Sequence, residues 1–184
     1  MSAATLSPSR AAILSERVSG APRRGLVRRI VTEWRIRHSE LRATPVTLEG
    51  LRAVCARERI KVRPTRRRSC LGELLDLEPY GLGDARILFV NEALEGPARL
   101  FVIAHELGHA ALHARDPEIA EAYRTEMRTL SYWYEQDGTS YRHLGEGPVW
   151  QTVEAEADRF AELLLGADVV AMARQAIDAL ELAA

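Results

Sequence analysis

The chain has little cysteine, no long uninterrupted apolar run and almost no net charge. Two cysteines in 184 residues, Cys55 and Cys70, are too few for a disulfide scaffold, which excludes the small secreted class. No apolar run is long enough to span a bilayer. The opening stretch MSAATLSPSRAAILSERVSG has neither a long apolar core nor a cleavage pattern, so no signal peptide is expected. A cytoplasmic protein is the simplest reading. Apolar residues make up 47% of the chain, enough for a real core, and the length suits one domain or one domain with an appendage.

The net charge of -1 hides an asymmetry. Residues 1–70 carry 17 Arg and Lys against 5 Asp and Glu, a balance of +12, and residues 71–184 carry -13. Such a split can mark an arm that faces nucleic acid. The plainer alternative, that the basic half packs on the acidic half, is favoured.

Helical periodicity places Leu26, Ile30, Trp34 and Leu41, with Val27 and Val31, on one face of a helix within GLVRRIVTEWRIRHSELR. Thr47 is a good N-cap for a second helix, LEGLRAVCARER. IKVRP reads as a short strand, LGELLDLEPYGLGDA is ambiguous and reads as a strand followed by a Gly-rich turn, and RILFV is a strand by its β-branched and aromatic content. Pro97 opens a helix that runs to about Ala114, and Asp116–Pro117 starts a further one. VWQTVEAEADRFAELLL is amphipathic and helical, Gly166 ends it, and a last helix follows with Asp168 near its start. Many helices and few short strands predict an α+β fold.

The helix after Pro97 contains LFVIAHELGHAALH, with three of the five histidines of the chain. His105 and His109 bracket Glu106 as H-E-x-x-H. Residues four apart share a helix face, so both imidazoles can bite one metal. Glu106 is turned about 100° from His105. It is poorly placed as a ligand of the same pair and well placed as general base toward a metal-activated water. The alternative is a core helix whose histidines are satisfied by carboxylates. The almost wholly apolar surroundings favour the metal, because burying Glu106 without a partner would be costly. Nitrogen and oxygen ligands suit Zn2+, though also manganese or cobalt.

A catalytic zinc needs a third protein ligand and an open position. His113 lies eight residues beyond His105, about 12 Å along the axis, too far for one ion. It reads as a helix-end residue stabilising the last carbonyls. The metzincin pattern would need glycine at Leu112 and histidine at Arg115. The better source is VEAEADRFAELLL. Glu154 and Asp158 share a face and Glu156 points away. Glu154 is therefore the candidate third ligand and Asp158 the residue that orients a ligand histidine by hydrogen bond. A solvated acidic face is the competing explanation for this helix on its own.

The stretches Arg99–His113 and Val153–Leu165 resemble the ImmA/IrrE family of zinc metallopeptidases, whose pattern reads R-x-x-x-A-H-E-L-G-H-x-x-L-H and then E-x-E-A-N-x-F-A-x-x-L-L-M-P. The resemblance covers about residues 44–170, including the strand that ends at Asn91. It implies a mostly helical zincin-like domain with a small sheet packed beside the HExxH helix. It also implies His105, His109 and Glu154 as ligands of Zn2+ and Glu106 as base. Arg99 stands one residue further from the motif than the pattern has it. Asp158 replaces Asn, and Gly166–Ala167 replaces Met-Pro. Between His109 and Glu154 lie 44 residues, longer than the family pattern leads one to expect. The extra length falls at about 124–149, where Tyr141 and His143 are candidates for substrate or oxyanion contact. A surface loop pinned by aromatic anchors is the alternative for that segment.

These observations divide the chain into a basic N-terminal extension, residues 1–43, partly helical or disordered, and a metallopeptidase domain, residues 44–184. They predict a zinc endopeptidase with a protein substrate. The resemblance implies a helix-turn-helix repressor as that substrate. The RILFV strand is a candidate for binding substrate backbone if it lies at a sheet edge. The alternative is a regulatory binding module whose basic N-terminal region contacts DNA or an acidic partner.

Overall fold

The computed structural model describes residues 23–66, 71–76, 86–113 and 148–182. These form five helices, one 3-10 turn and one three-stranded sheet. Helix α1 is Arg24–Arg37, the turn is Ser39–Arg42, and α2 is Leu48–Arg57. Strands β1 (Ile60–Thr65), β2 (Gly72–Asp76) and β3 (Arg86–Asn91) follow, then α3 (Gly96–Leu112), α4 (Pro148–Leu165) and α5 (Ala167–Leu182). The fold is α+β and mostly helical. The expected helix after Asp116, the 124–149 segment up to residue 147, Tyr141 and His143 lie outside the described residues. No helix among the described residues is long and apolar enough to cross a membrane.

Local chemistry explains most element boundaries. The Thr47 hydroxyl accepts from Gly50 N–H at 3.1 Å and caps α2. Arg59, at φ 58°, turns the chain from α2 into β1. Pro97 fits the first turn of α3, where its missing N–H leaves no bond unmade. Gly166, at φ 92°, closes α4 with its N–H on Glu162 O at 2.9 Å. Arg35 also donates to the last carbonyls of α4, Leu163 at 3.2 Å and Leu164 at 3.1 Å. The first helix stops at Arg37 instead of running on to Arg42. His38 is extended there, and its buried ring bonds Glu58 at 3.2 Å.

The sheet order is β1-β3-β2, with β1 parallel and β2 antiparallel to β3. Leu88 and Val90 of β3 are fully buried, and Gly72 pairs with Val90 and Leu74 with Leu88 on the same side. That side packs on α3. Pro64 sits in β1, which has a free outer edge among the described residues and so tolerates a residue without a donor.

Helix α3 runs through the centre, between the sheet and α4 and α5. Ala98, Val102, Ile103, Ala104, Leu107 and Ala110 are all buried along it. Helix α1 belongs to the same core. Its apolar face inserts Val27, Val31 and Trp34, and the Trp34 ring meets Phe160 of α4 edge-on at 5.6 Å. The basic segment is therefore joined to the acidic one by packing, and several of its arginines are engaged within the fold. Arg23 pairs with Glu156, Arg37 with Glu58 and Arg57 with Glu40. Arg42 bonds the carbonyls of Arg35 and Ile36.

Candidate metal centre

Two helices build the site. The i,i+4 spacing on α3 brings His105 Nε2 and His109 Nε2 to 3.0 Å of each other. Helix α4 delivers Glu154, whose Oε2 lies 3.1 Å from His105 Nε2 and whose Oε1 lies 3.4 Å from His109 Nε2. Ligands about 2.0–2.1 Å from a tetrahedral ion stand about 3.3–3.4 Å apart. Two imidazole nitrogens and a carboxylate converge here at nearly that spacing, and the three form a group able to hold a metal ion. This donor set fits a divalent cation. Exposure at these side chains is partial, which leaves a path for a ligand from solvent.

The approach of α4 to α3 depends on Gly108, the glycine inside the motif. A Cβ there would stand 3.0 Å from Ala157 Cα, 3.1 Å from Phe160 Cβ and 3.2 Å from Ala157 O. Two of those three atoms are backbone and cannot swing aside. Gly108 therefore sets the closeness of the crossing that puts Glu154 beside the histidines. Gly108→Val is expected to cost about 1–3 kcal/mol through overpacking and to weaken metal binding as Glu154 is pushed away. Denaturant unfolding and chelator competition measure the two effects. Unchanged values in both would show that the crossing can relax.

Glu106 faces the other way, toward the sheet. It is 8% exposed and sits under β2, where a Cβ on Gly72 would meet Val102 Cγ1 at 2.5 Å and Glu106 Oε1 at 3.0 Å. Gly72 thus lets the strand cross directly over the carboxylate. Burial pushes the Glu106 carboxyl up to about 7, against the opposing pull of the His105 charge and a hydrogen bond from the Leu74 backbone. Glu154 moves the other way. Its burial favours the neutral acid, but hydrogen bonds from His105 and His109 prevail and hold it well below the usual carboxylate range.

Asp158 is one turn beyond Glu154, as its spacing predicts. Its Oδ1 accepts from His105 Nδ1 at 2.9 Å, and Arg174 of α5 donates to its Oδ2 at 3.2 Å. With Nδ1 bonded to Asp158, Nε2 is the nitrogen left to face Glu154 and His109. Burial disfavours a charged His105, yet the bonds to Asp158 and Glu154 raise its pKa well above the ordinary imidazole value.

His113 is the C-cap residue of α3, at the helix end as its position in the sequence suggests. Its ring does not serve the last carbonyls. It is buried, with Nδ1 3.1 Å from His109 Nδ1 and Nε2 3.2 Å from Glu156 Oε2. Glu156 does point away from Glu154 and Asp158, but into the core, where it is fully buried. The i,i+4 spacing of His109 and His113 was the available signal for this contact. RILFV does not lie at a sheet edge. It is the central strand β3, so its backbone is already paired on both sides.

A helix bearing two histidines and a buried glutamate, met by a carboxylate from a second helix beside a small sheet, is a metallopeptidase-like arrangement. Residues 55–132 match the Peptidase_M78 family model, described as an IrrE N-terminal-like domain, a likeness in line with the ImmA/IrrE resemblance and with a metallopeptidase-like function. The match contains the sheet and the whole H-E-x-x-H motif and ends before Glu154. No curated protein and no solved structure matches the chain.

Proposed function

We propose that the protein is a zinc-dependent endopeptidase in which His105, His109 and Glu154 hold the metal and Glu106 is the general base. The convergence of three ligand atoms beside a buried carboxylate carries this reading. Bound zinc would polarise a scissile carbonyl and make water a better nucleophile near neutral pH. The chain's own groups do the rest. Glu106, shifted close to neutrality, can take a proton and hand it to the leaving amine. Gly72 and the Leu74 backbone hold its carboxylate in place under β2. Asp158 keeps His105 in the tautomer that offers Nε2 to the metal.

β2 pairs only with β3 among the described residues, and it crosses over Glu106. Its outer edge is the strand that would align an extended substrate by main-chain hydrogen bonds, in place of the RILFV strand. The substrate class follows from the family resemblance: a regulatory protein such as a helix-turn-helix repressor. The second reading, a binding module with a basic nucleic-acid-facing arm, has less behind it. Helix α1 is part of the core, and Arg23, Arg35, Arg37 and Arg42 are bonded within the fold.

The test is cleavage itself. The zinc-loaded chain, incubated with a peptide library from a whole-proteome digest, is expected to create new N-termini that mass spectrometry reads. A chelator should abolish them and added zinc restore them. A zinc-loaded chain that generates none would count against the peptidase reading.

A further inference from the structure

The mechanism above leaves one buried chain of polar groups unused. It starts at His109, a proposed ligand, and ends at Arg23, the residue just before α1. His109 Nδ1 lies 3.1 Å from His113 Nδ1, and His113 Nε2 lies 3.2 Å from Glu156 Oε2. Glu156 in turn accepts three bonds from one residue: Arg23 N at 2.9 Å and Nε at 2.8 Å on Oε1, and Nη2 at 2.8 Å on Oε2. The carboxylate is fully buried, so it is tolerated there as an anion only because it is paired and hydrogen-bonded.

The donors and acceptors admit one consistent order. If His109 Nε2 faces the metal, its Nδ1 carries the proton and donates to His113 Nδ1. His113 must then hold its own proton on Nε2, which donates to Glu156. His113 in that tautomer links His109 to Glu156. Glu156 accepts the bond on Oε2, and the Arg23 fork, which engages both of its oxygens, fixes its orientation.

Resting on the metal reading above, we infer that Arg23 is a positioning residue of the metal centre, acting on His109 through Glu156 and His113. Its place in the sequence makes this unexpected. Arg23 lies outside the family match and 82 residues before His105 in the chain. The counterpart on the other ligand, His105–Asp158–Arg174, has the same ending in an arginine but is shorter and more exposed. Each ligand histidine is thus backed by an acid, and each acid by an arginine.

The test is a double-mutant cycle on zinc affinity of the full chain, measured by chelator competition. The visible spectrum of the cobalt-substituted protein gives an activity-independent view of the ligand sphere. Arg23→Ala is expected to weaken metal binding about 10–100-fold, the range for residues that orient a ligand, and to alter the cobalt spectrum. His113→Phe, which keeps a buried ring but removes the acceptor, should do the same. In the His113→Phe background Arg23→Ala should add less than about threefold, because the route is already cut. Arg23→Lys keeps the charge without the fork and is read in place of Arg23→Ala if that variant does not fold. Wild-type affinity and spectrum in the arginine variants, or equal losses in both backgrounds, would overturn the inference while leaving the metal reading intact. A wild-type chain that binds no zinc would overturn both.

Discussion

Glu154→Ala is expected to leave the chain folded and to lower its zinc affinity by more than about 100-fold, beyond the effect typical of residues that only orient a ligand. Glu154 is the one member of the ligand group that comes from α4. Its two oxygens face one imidazole nitrogen each, at 3.1 and 3.4 Å. Without it, His105 and His109 alone would have to retain the ion. Partial exposure of Glu154 means the truncation leaves no large void, so circular dichroism should show the fold retained, with some loss of stability as the bonds to His105 and His109 go. Metal content after gel filtration gives the answer directly. Near-stoichiometric zinc retained by Glu154→Ala would remove Glu154 from the ligand set.

Glu106→Gln should separate binding from chemistry. The amide keeps the shape of the side chain, and its oxygen can still accept the bond from the Leu74 backbone. Zinc affinity is therefore expected to stay close to wild type. Peptide cleavage should fall by about 10²–10⁴-fold, the contribution general acid–base catalysis makes. The uncharged side chain also suits this buried place, so stability should hold or rise. Such a variant, loaded with metal and inactive, is the tool for trapping a bound substrate. Cleavage at the wild-type rate by Glu106→Gln would show that some other group takes the proton.

The ligand side of the site was legible in the sequence because it obeys helical spacing. His105 and His109 are neighbours on α3, and Glu154 and Asp158 are neighbours on α4, so each pair could be placed on a face without knowing how the helices cross. The strands, the Thr47 cap and the turn at Gly166 were legible for similarly local reasons. What stayed hidden depends on pairs far apart in the chain. Nothing local distinguishes Gly108 from any glycine in a helix until Ala157 and Phe160 are seen against it. Glu156 looks like one more acid on a polar face until Arg23 and His113 close around it. The order β1-β3-β2 could not be read from three short strands, so whether RILFV lay at a sheet edge stayed open until the structure placed it at the centre.

The crossing at Gly108 also bears on how such a site can vary. The three residues proposed as ligands come from α3 and α4, which meet at Gly108. The entropy of closing the connection between α3 and α4 grows slowly with its length, by about 0.6 kcal/mol for each doubling. A change in the length of that connection is therefore expected to cost the fold little. The family match stops at residue 132, before Glu154. What joins the two halves of the site is a pair of small residues, Gly108 and Ala157, at the point where two helices meet.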